Sequence, residues 1–302
     1  MKLVELLGPQ PILNLLPLRY MQPKEVLFVG THDTHDISRH LQNMLQNQLQ
    51  IHQTEVHDPH DPFAVYKSVS KKMLKLGWSG KDIVFDISDG TKMEAFGLAK
   101  LAKDHGSLLI DVELIYGRYQ LRSYLFQDDH LTLQDDIHLP ENLIDIGDYL
   151  STYLPGYDIG GAAKDEQGQV DIGGRFEETI YHALAPHVDE ILAGVRPAGV
   201  AEQIEIDLIV RRGNRVGIVE TKTGVKKAGI DQLDTAGNAH YLGEHILKFL
   251  VTGRYLSRAH KMLAVAEEIQ VIELPGYRDN RRLPDQEKRR LVDTVKRKLG
   301  GC

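Results

Sequence analysis

Short apolar runs alternate with helical patterns through the first half of the chain, and this alternation constrains the fold more than any other feature. LVELL, EVLFVG, IHQTEV, DIVFDIS and SLLIDVELIY read as strands. Between them PILNLLPLRY, ISRHLQNMLQNQL, FAVYKSVSKKMLKLG and KMEAFGLAKLAKDHG carry apolar residues at helical spacing. Strand, helix, strand in this rhythm argues for a parallel sheet wound on both faces by helices. The expected fold is therefore α/β, with an N-terminal Rossmann-like doubly wound sheet. YGRYQLRSYLFQDDHLTL follows as a hairpin, and ENLIDIGDYLSTYL as a helix.

The rhythm stops between Pro155 and Gly174, where PGYDIGGAAKDEQGQVDIGG is rich in glycine and polar residues and has no apolar period. The expected division is a first domain over 1–154, a linker over 155–173 and a second domain over 174–302. A chain of 302 residues with 42% hydrophobic content can fill two cores. The second half reads as helix, hairpin, helix, strand, helix, strand, a mixed α/β unit closed by a charged tail that is basic on balance. A net charge of -7 carries no global nucleic-acid signature, although a local basic groove is compatible with it. The only cysteine is Cys302, so disulfides and cysteine zinc sites are excluded. Prolines interrupt the apolar N-terminal stretch, which fits neither a signal peptide nor a membrane span, and a cytoplasmic, soluble protein is expected.

Within the second half, IEIDLIVRRGNRVGIVETKTG reads as a core hairpin that carries charge. Gly213-Asn214 suits a type II′ turn, because glycine supplies the positive φ of its first central position. Counting outward, Arg212 faces Arg215, Val210 faces Gly217, Leu208 faces Val219, Asp207 faces Glu220 and Glu205 faces Lys222. The four charged residues then share one face. Facing carboxylates, with β-carbons about 5 Å apart, repel unless something positive sits between them. A hard divalent cation does this, taking one or two carboxylates plus waters and phosphate oxygens. Lys222 would stand near the bound phosphate, and the implied reaction is metal-assisted phosphodiester hydrolysis. The structural alternative is a wet-faced hairpin in which Glu205 pairs with Lys222. On the preceding helix, GRFEETIYHAL, Glu177 lies at the edge of the stripe formed by Phe176, Ile180 and Leu184, whereas Glu178 points away.

This constellation resembles the PD-(D/E)XK nuclease superfamily: an acid on an opening helix (Glu177), an acid on one strand (Asp207) and Glu-x-Lys on the next (Glu220-Thr221-Lys222). The resemblance covers most of residues 174–275 and implies a restriction-endonuclease-like second domain. It further implies Mg2+ or Mn2+ held by Asp207, Glu220, Glu177 and the carbonyl of Thr221. Lys222 would serve the water and the phosphate, and Gln232 on the next helix would be a substrate- or water-positioning residue. Ile206 replaces the proline usual before the first acid.

In the first domain, ligands of a doubly wound sheet settle beyond the carboxyl ends of its strands. After DIVFDIS, Thr91 and Glu94 form a capping box, and the free N–H groups of the new helix with Lys92 suit a phosphate. The loop resembles the TGGTK-type loop of CARF domains, receptors for cyclic oligoadenylates in type III CRISPR defence. Here it reads Ser88-Asp89-Gly90-Thr91-Lys92, with Asp89 in place of the first glycine. The entry VELLGPQPILNLLPLRYMQPKEVLFVGT looks similar to that of the CARF nucleases, with a first loop at Gly8-Pro9-Gln10-Pro11 and Asn14 beyond it. Thr31 and His32, after the second strand, are further ligand candidates. The whole chain thus resembles the stand-alone CRISPR ancillary nucleases, homodimers activated by cyclic tetra- or hexa-adenylate (cA4 or cA6) that cut nucleic acid in antiviral defence. Two readings stay open beside it: a constitutive restriction- or repair-type DNA nuclease, and a non-enzymatic nucleotide sensor that binds nucleic acid. The histidine-rich runs at Thr31–Asp36 and His52–Asp61 read as polar loops, with a transition-metal site as the alternative.

Overall fold

The computed structural model describes residues 1–161, 170–198, 205–224, 228–237, 242–278 and 282–300. The chain separates into two compact units, Met1–Ile144 with Ser151–Tyr153, and Asp145–Leu150 with Leu154–Cys302.

In the first unit the strands are β1 (Lys2–Leu6), β2 (Glu25–Gly30), β3 (Gln50–Glu55), β4 (Ile83–Asp86), β5 (Leu108–Ile115), β6 (Arg118–Gln127) and β7 (His130–His138). They form one sheet in the order β3-β2-β1-β4-β5-β6-β7. The first five run parallel and the last two add the expected antiparallel hairpin. The crossover helices are α1 (Ile12–Met21), α2 (His35–Leu45), α3 (Pro62–Leu76) and α4 (Lys92–His105). Alternation decides which residues they cover. Val4, Leu6, Leu27, Val29 and Phe85 pack against Val65 and Val69 of α3 and Leu98 and Leu101 of α4. Each such fully buried side chain contributes roughly 1.5–3 kcal/mol. Asp61 begins α3 by accepting from Phe63 N at 2.9 Å, with Pro62 at the first helical position.

The order of the strands reverses beside β1. From β1 the chain winds outward through β2 and β3, then returns to β4 on the other side. The loops that leave β1 and β4 therefore lie side by side at the switch point, where a sheet of this kind opens a crevice.

The second unit holds β8 (Tyr157–Ile159), β9 (Glu190–Pro197), β10 (Ile206–Arg212), β11 (Arg215–Lys222), β12 (Leu247–Thr252) and β13 (Ile269–Glu273) in the order β13-β12-β11-β10-β9-β8. Its helices include α6 (Ile172–Leu184), α7 (Ala228–Ala236), α8 (Arg258–Ala266) and α9 (Asp285–Lys298); α5 (Ile146–Tyr153) gives residues to both units. Phe176, Ile180 and Leu184 of α6 and Leu291, Val292 and Val295 of α9 close over Leu208, Val210, Val219 and Phe249. This apolar layer makes β10 and β11 interior strands.

Two strands have no counterpart in the sequence reading. Tyr157–Ile159 lies in the span expected as linker, yet pairs by backbone with Val195–Pro197. A three-residue edge strand needs no apolar alternation, so nothing in its composition announces it. Glu190–Pro197 is interrupted by Gly194 and ends in Pro197, both of which weaken a strand pattern. Residues 162–169 of the expected linker lie outside the described residues.

Candidate functional site

The charged hairpin has the register read from its turn. Gly213 has φ 59° and Arg212 faces Arg215, Val210 faces Gly217 and Leu208 faces Val219. Asn214 is absent from the positive-φ residues, as type II′ requires. One position further out, the same register sets Asp207 against Glu220. β11 is flanked by β10 on one side and by parallel β12 on the other, with Glu220 beside Leu250 and Lys222 beside Thr252. The carboxyl of Glu220 is thus held in the interior, 3% exposed. Glu177 of α6 is 4% exposed.

Burial and the neighbouring Asp207 carboxyl push Glu220 up to about 8, against the opposing pull of Lys222, while Glu177 adds to the rise. Burial also raises Asp207, opposed by hydrogen bonds from Thr221 and by Lys222. Asp207 Oδ2 accepts from Thr221 N at 2.7 Å and from Thr221 Oγ1 at 2.9 Å. Lys222 Nζ forms an ion pair with Glu220 Oε1. Burial works against the ammonium, but Glu220, Asp207 and Glu177 outweigh it and its pKa rises. Lys222 is therefore held as a cation. One ammonium faces three carboxyl groups in a desolvated setting.

One expected placement differs. Glu205 does not meet Lys222: it precedes β10, and its two oxygens take Arg196 Nη2 of β9 at 3.1 and 3.0 Å. The pairing of β10 with β9 brings this arginine alongside. Gln232 sits on the exposed side of α7, whose Ile230 and Leu233 turn inward. Among the described residues, no three His, Cys, Asp or Glu side chains gather into a metal-holding cluster. The oxygen donors of the hairpin nonetheless fit magnesium, which uses one or two carboxylates and keeps several waters. The surplus of carboxyl groups over the single ammonium, held down by protonation at Glu220, is the feature such an ion would balance.

At the switch point of the first unit, the two loops are knitted by Asp89. Its carboxylate accepts from Gln10 N at 2.8 Å and Gly90 N at 2.9 Å, and also from Gly8 N. A β-carbon at Gly8 would lie 2.1 Å from Asp89 Oδ1, so only glycine allows this approach. Burial raises Asp89 to about 6 against those three N–H groups. The residue that replaces a glycine of the resembled loop thus ties one loop to the other.

Thr91 and Glu94 form the expected capping box, Thr91 N donating to Glu94 Oε2 at 2.8 Å and Glu94 N to Thr91 Oγ1 at 3.2 Å. The Thr91 hydroxyl also donates to Pro59 O at 3.1 Å. Gly90 and Lys92 are exposed, and Ser88 is half-buried. Asn14 is fully buried and donates to Leu6 O at 2.7 Å, fixing the start of the first loop. The side chain of Gln10 is 6% exposed, with neither amide atom hydrogen-bonded. Thr31 and His32 line a separate cleft of about 180 Å³ with Gly30, His35, Gln53 and Glu55, at the ends of β2 and β3.

No family model and no curated protein matches the chain. Solved structures do. Can2 from Sulfobacillus thermosulfidooxidans, solved in complex with cyclic tetra-adenylate (cA4), aligns with a TM-score of 0.72 at 13% identity over 99% of this chain and 97% of its own. The protein VC1899 from Vibrio cholerae aligns with a TM-score of 0.73 at 12% identity over 99% and 98%. A type III CRISPR defence DNA nuclease activated by cyclic oligoadenylate aligns at 0.57 and 15% identity over 85% of this chain, which spans 46% of that longer one. Over nearly its whole length the chain has the fold of Can2 and VC1899, here a Rossmann-like N-terminal sheet and a mixed α/β unit with a six-stranded sheet.

Proposed function

We propose that the protein is a metal-dependent nuclease of CRISPR antiviral defence, gated by a cyclic oligoadenylate and acting as a cytoplasmic homodimer. The observation that carries this reading is the facing pair of half-buried Asp207 and buried Glu220, which has Glu177 beside it and Lys222 as its counter-charge. Asp207, Glu220, Glu177 and the Thr221 carbonyl would hold magnesium or manganese, whose chemistry is to polarise a phosphodiester and lower the pKa of a bound water. Thr221 fixes the Asp207 carboxylate by two hydrogen bonds, so this acid is oriented before any ligand arrives. Lys222, kept protonated by its neighbours, stabilises charge on the phosphate rather than removing a proton from water.

The first unit would be the receptor. Gly8, Gln10 and Asn14 on one side and Ser88, Asp89, Gly90, Thr91 and Lys92 on the other meet at the switch point. There the exposed Lys92 and the start of α4 favour phosphate. Asp89 acts by holding Gln10 and Gly8 in place, since its carboxylate is occupied by backbone N–H groups. Can2 was solved with cA4, and full-length likeness to it supports cyclic tetra-adenylate as the first ligand to try.

The test is purified protein with manganese and a panel of cyclic oligoadenylates, assayed in parallel on labelled RNA, single-stranded DNA and plasmid. Cleavage that requires both the metal and one ring supports the proposal. Metal-dependent cleavage indifferent to every ring would make it a constitutive nuclease. Nucleic-acid binding without cleavage would make it a sensor.

A further inference from the structure

Two carboxyl groups lie on the central strands of the first sheet, beneath the loops at its switch point. Glu5 of β1 and Asp86 of β4 are register partners on adjacent parallel strands, 0% and 1% exposed. They are within hydrogen-bonding reach of each other. Both oxygens of Glu5 and Oδ2 of Asp86 are buried without a donor among the described residues. Two ionised carboxylates cannot persist side by side in such a place, so a proton must be shared between them.

Among the described residues, no cation acts on the pair. On the far side of Glu5 the β2 neighbour is Phe28, and beside Asp86 the β5 neighbour is Ile110. Asp111 of β5 adds negative charge to Asp86 and is itself attended by Glu113 and by Arg122 of β6. α1 contributes the neutral Asn14, which binds Leu6 O.

The pair is wired to the receptor loop. Asp86 Oδ1 accepts from Ser88 N at 2.8 Å and from the Ser88 hydroxyl, and Ser88 Oγ in turn accepts from Val112 N at 2.7 Å. Glu5 stands three residues before Gly8 and Asp86 two before Ser88. We infer that Glu5 and Asp86 form a proton-sharing carboxyl pair that positions the Ser88–Lys92 loop, and that its protonation state sets how firmly the loop is held. What the loop binds rests on the receptor reading above; the pair itself does not.

The mechanism follows from charge. Burial lifts Asp86 to about 7, and burial with the adjacent Asp86 lifts Glu5 further above its usual range. As pH rises through about 7, the pair gives up one proton, and the one that remains is held between the two carboxyl groups. Hydrogen bonds to a carboxylate are roughly twice as strong as those to a neutral carboxyl, so the grip on Ser88 tightens on the basic side.

The experiment uses the full chain without ligand, then with cA4. Infrared spectroscopy of the wild type should show a protonated-carboxyl band that Glu5→Gln removes. Amide exchange at Ser88, corrected for its intrinsic pH dependence, should slow between about pH 6 and pH 8. In Glu5→Leu, which takes away the donor that lowers Asp86, that step should move to higher pH; in Asp86→Asn it should vanish. Affinity for cA4 should rise across the same window by on the order of fivefold. Absence of the band, or a Ser88 exchange profile unchanged by Glu5→Leu, overturns the inference. Failure of the wild type to bind cA4 would overturn the receptor reading instead, while the spectra and exchange data still decide the pair.

Discussion

The charged hairpin of the second unit and the switch-point loops of the first both bury acids, and they compensate them differently. Asp89 is satisfied by three backbone N–H groups that exist in any folded copy of the two loops. Glu220 is met by Lys222, with Asp207 and Glu177 pushing the other way. The first arrangement closes on itself and reads as architecture. The second retains a surplus of carboxyl groups over cations, which keeps a proton on Glu220 and which a bound cation would displace.

The comparison breaks most visibly through the hairpin. Glu220→Gln or Asp207→Asn removes half of the facing pair with little change in volume, and nuclease activity should fall on the order of a thousandfold or more. Affinity for the cyclic ligand, measured by calorimetry, should not change. Near-normal cleavage by either variant would remove the hairpin from the chemistry and leave its charge as mere surface wetting.

Substitutions at the receptor loops should act through structure first. In Asp89→Ala, the N–H groups of Gly8, Gln10 and Gly90 lose their acceptor, a loss of about 2–4 kcal/mol if each retains partial access to water. Gly8→Ala forces a methyl group to within 2.1 Å of Asp89 Oδ1 and should separate the loops, at a similar or greater expense. Both variants should melt earlier and bind ligand weakly. Lys92→Ala should weaken ligand binding with an unchanged melting temperature, because its side chain is exposed. A stable Asp89→Ala protein would mean that the carboxylate faces the ligand and not the neighbouring loop.

How much of this was legible beforehand depended on whether the determining contacts were local. The strand–helix rhythm and the Gly213-Asn214 turn act over a few residues, and so the doubly wound sheet and the facing of Leu208 with Val219 could be read directly. The capping box of Thr91 and Glu94 is local in the same sense. Contacts between distant segments were not legible. The Gln10–Asp89 bond spans 79 residues, and no pattern near Asp89 discloses that its partner is another loop. Glu205 was matched to Lys222 because only one neighbouring strand had been recognised. With β9 on its other flank, Arg196 is nearer. The Glu5–Asp86 pair escaped notice because LVELL and DIVFDIS each carry a single acid, harmless until β1 and β4 are known to be neighbours.

A smaller effect separates the two kinds of buried acid by their response to metal. The folded pKa of Glu220, about 8, lies above its ordinary value of 4.5. Between those limits the native protein holds a proton that the unfolded chain has lost, so this group's contribution to stability is complete below pH 4.5 and declines as pH rises through about 8. A divalent cation binds the deprotonated form and competes with that proton. Its affinity should therefore increase with pH below about 8, by up to tenfold per unit if one proton is displaced. Melting curves with and without manganese at pH 6, 7 and 8 test this: the gain from manganese should grow with pH. Asp89, Asp86 and Glu5 are raised too and give their own pH trend, but they have no part in metal binding. Glu220→Gln isolates the two, since it should abolish the manganese-dependent gain while leaving the background trend of the first unit in place. An equal manganese effect in wild type and Glu220→Gln would mean that the ion is held elsewhere and that the surplus charge of the hairpin is settled by protons alone.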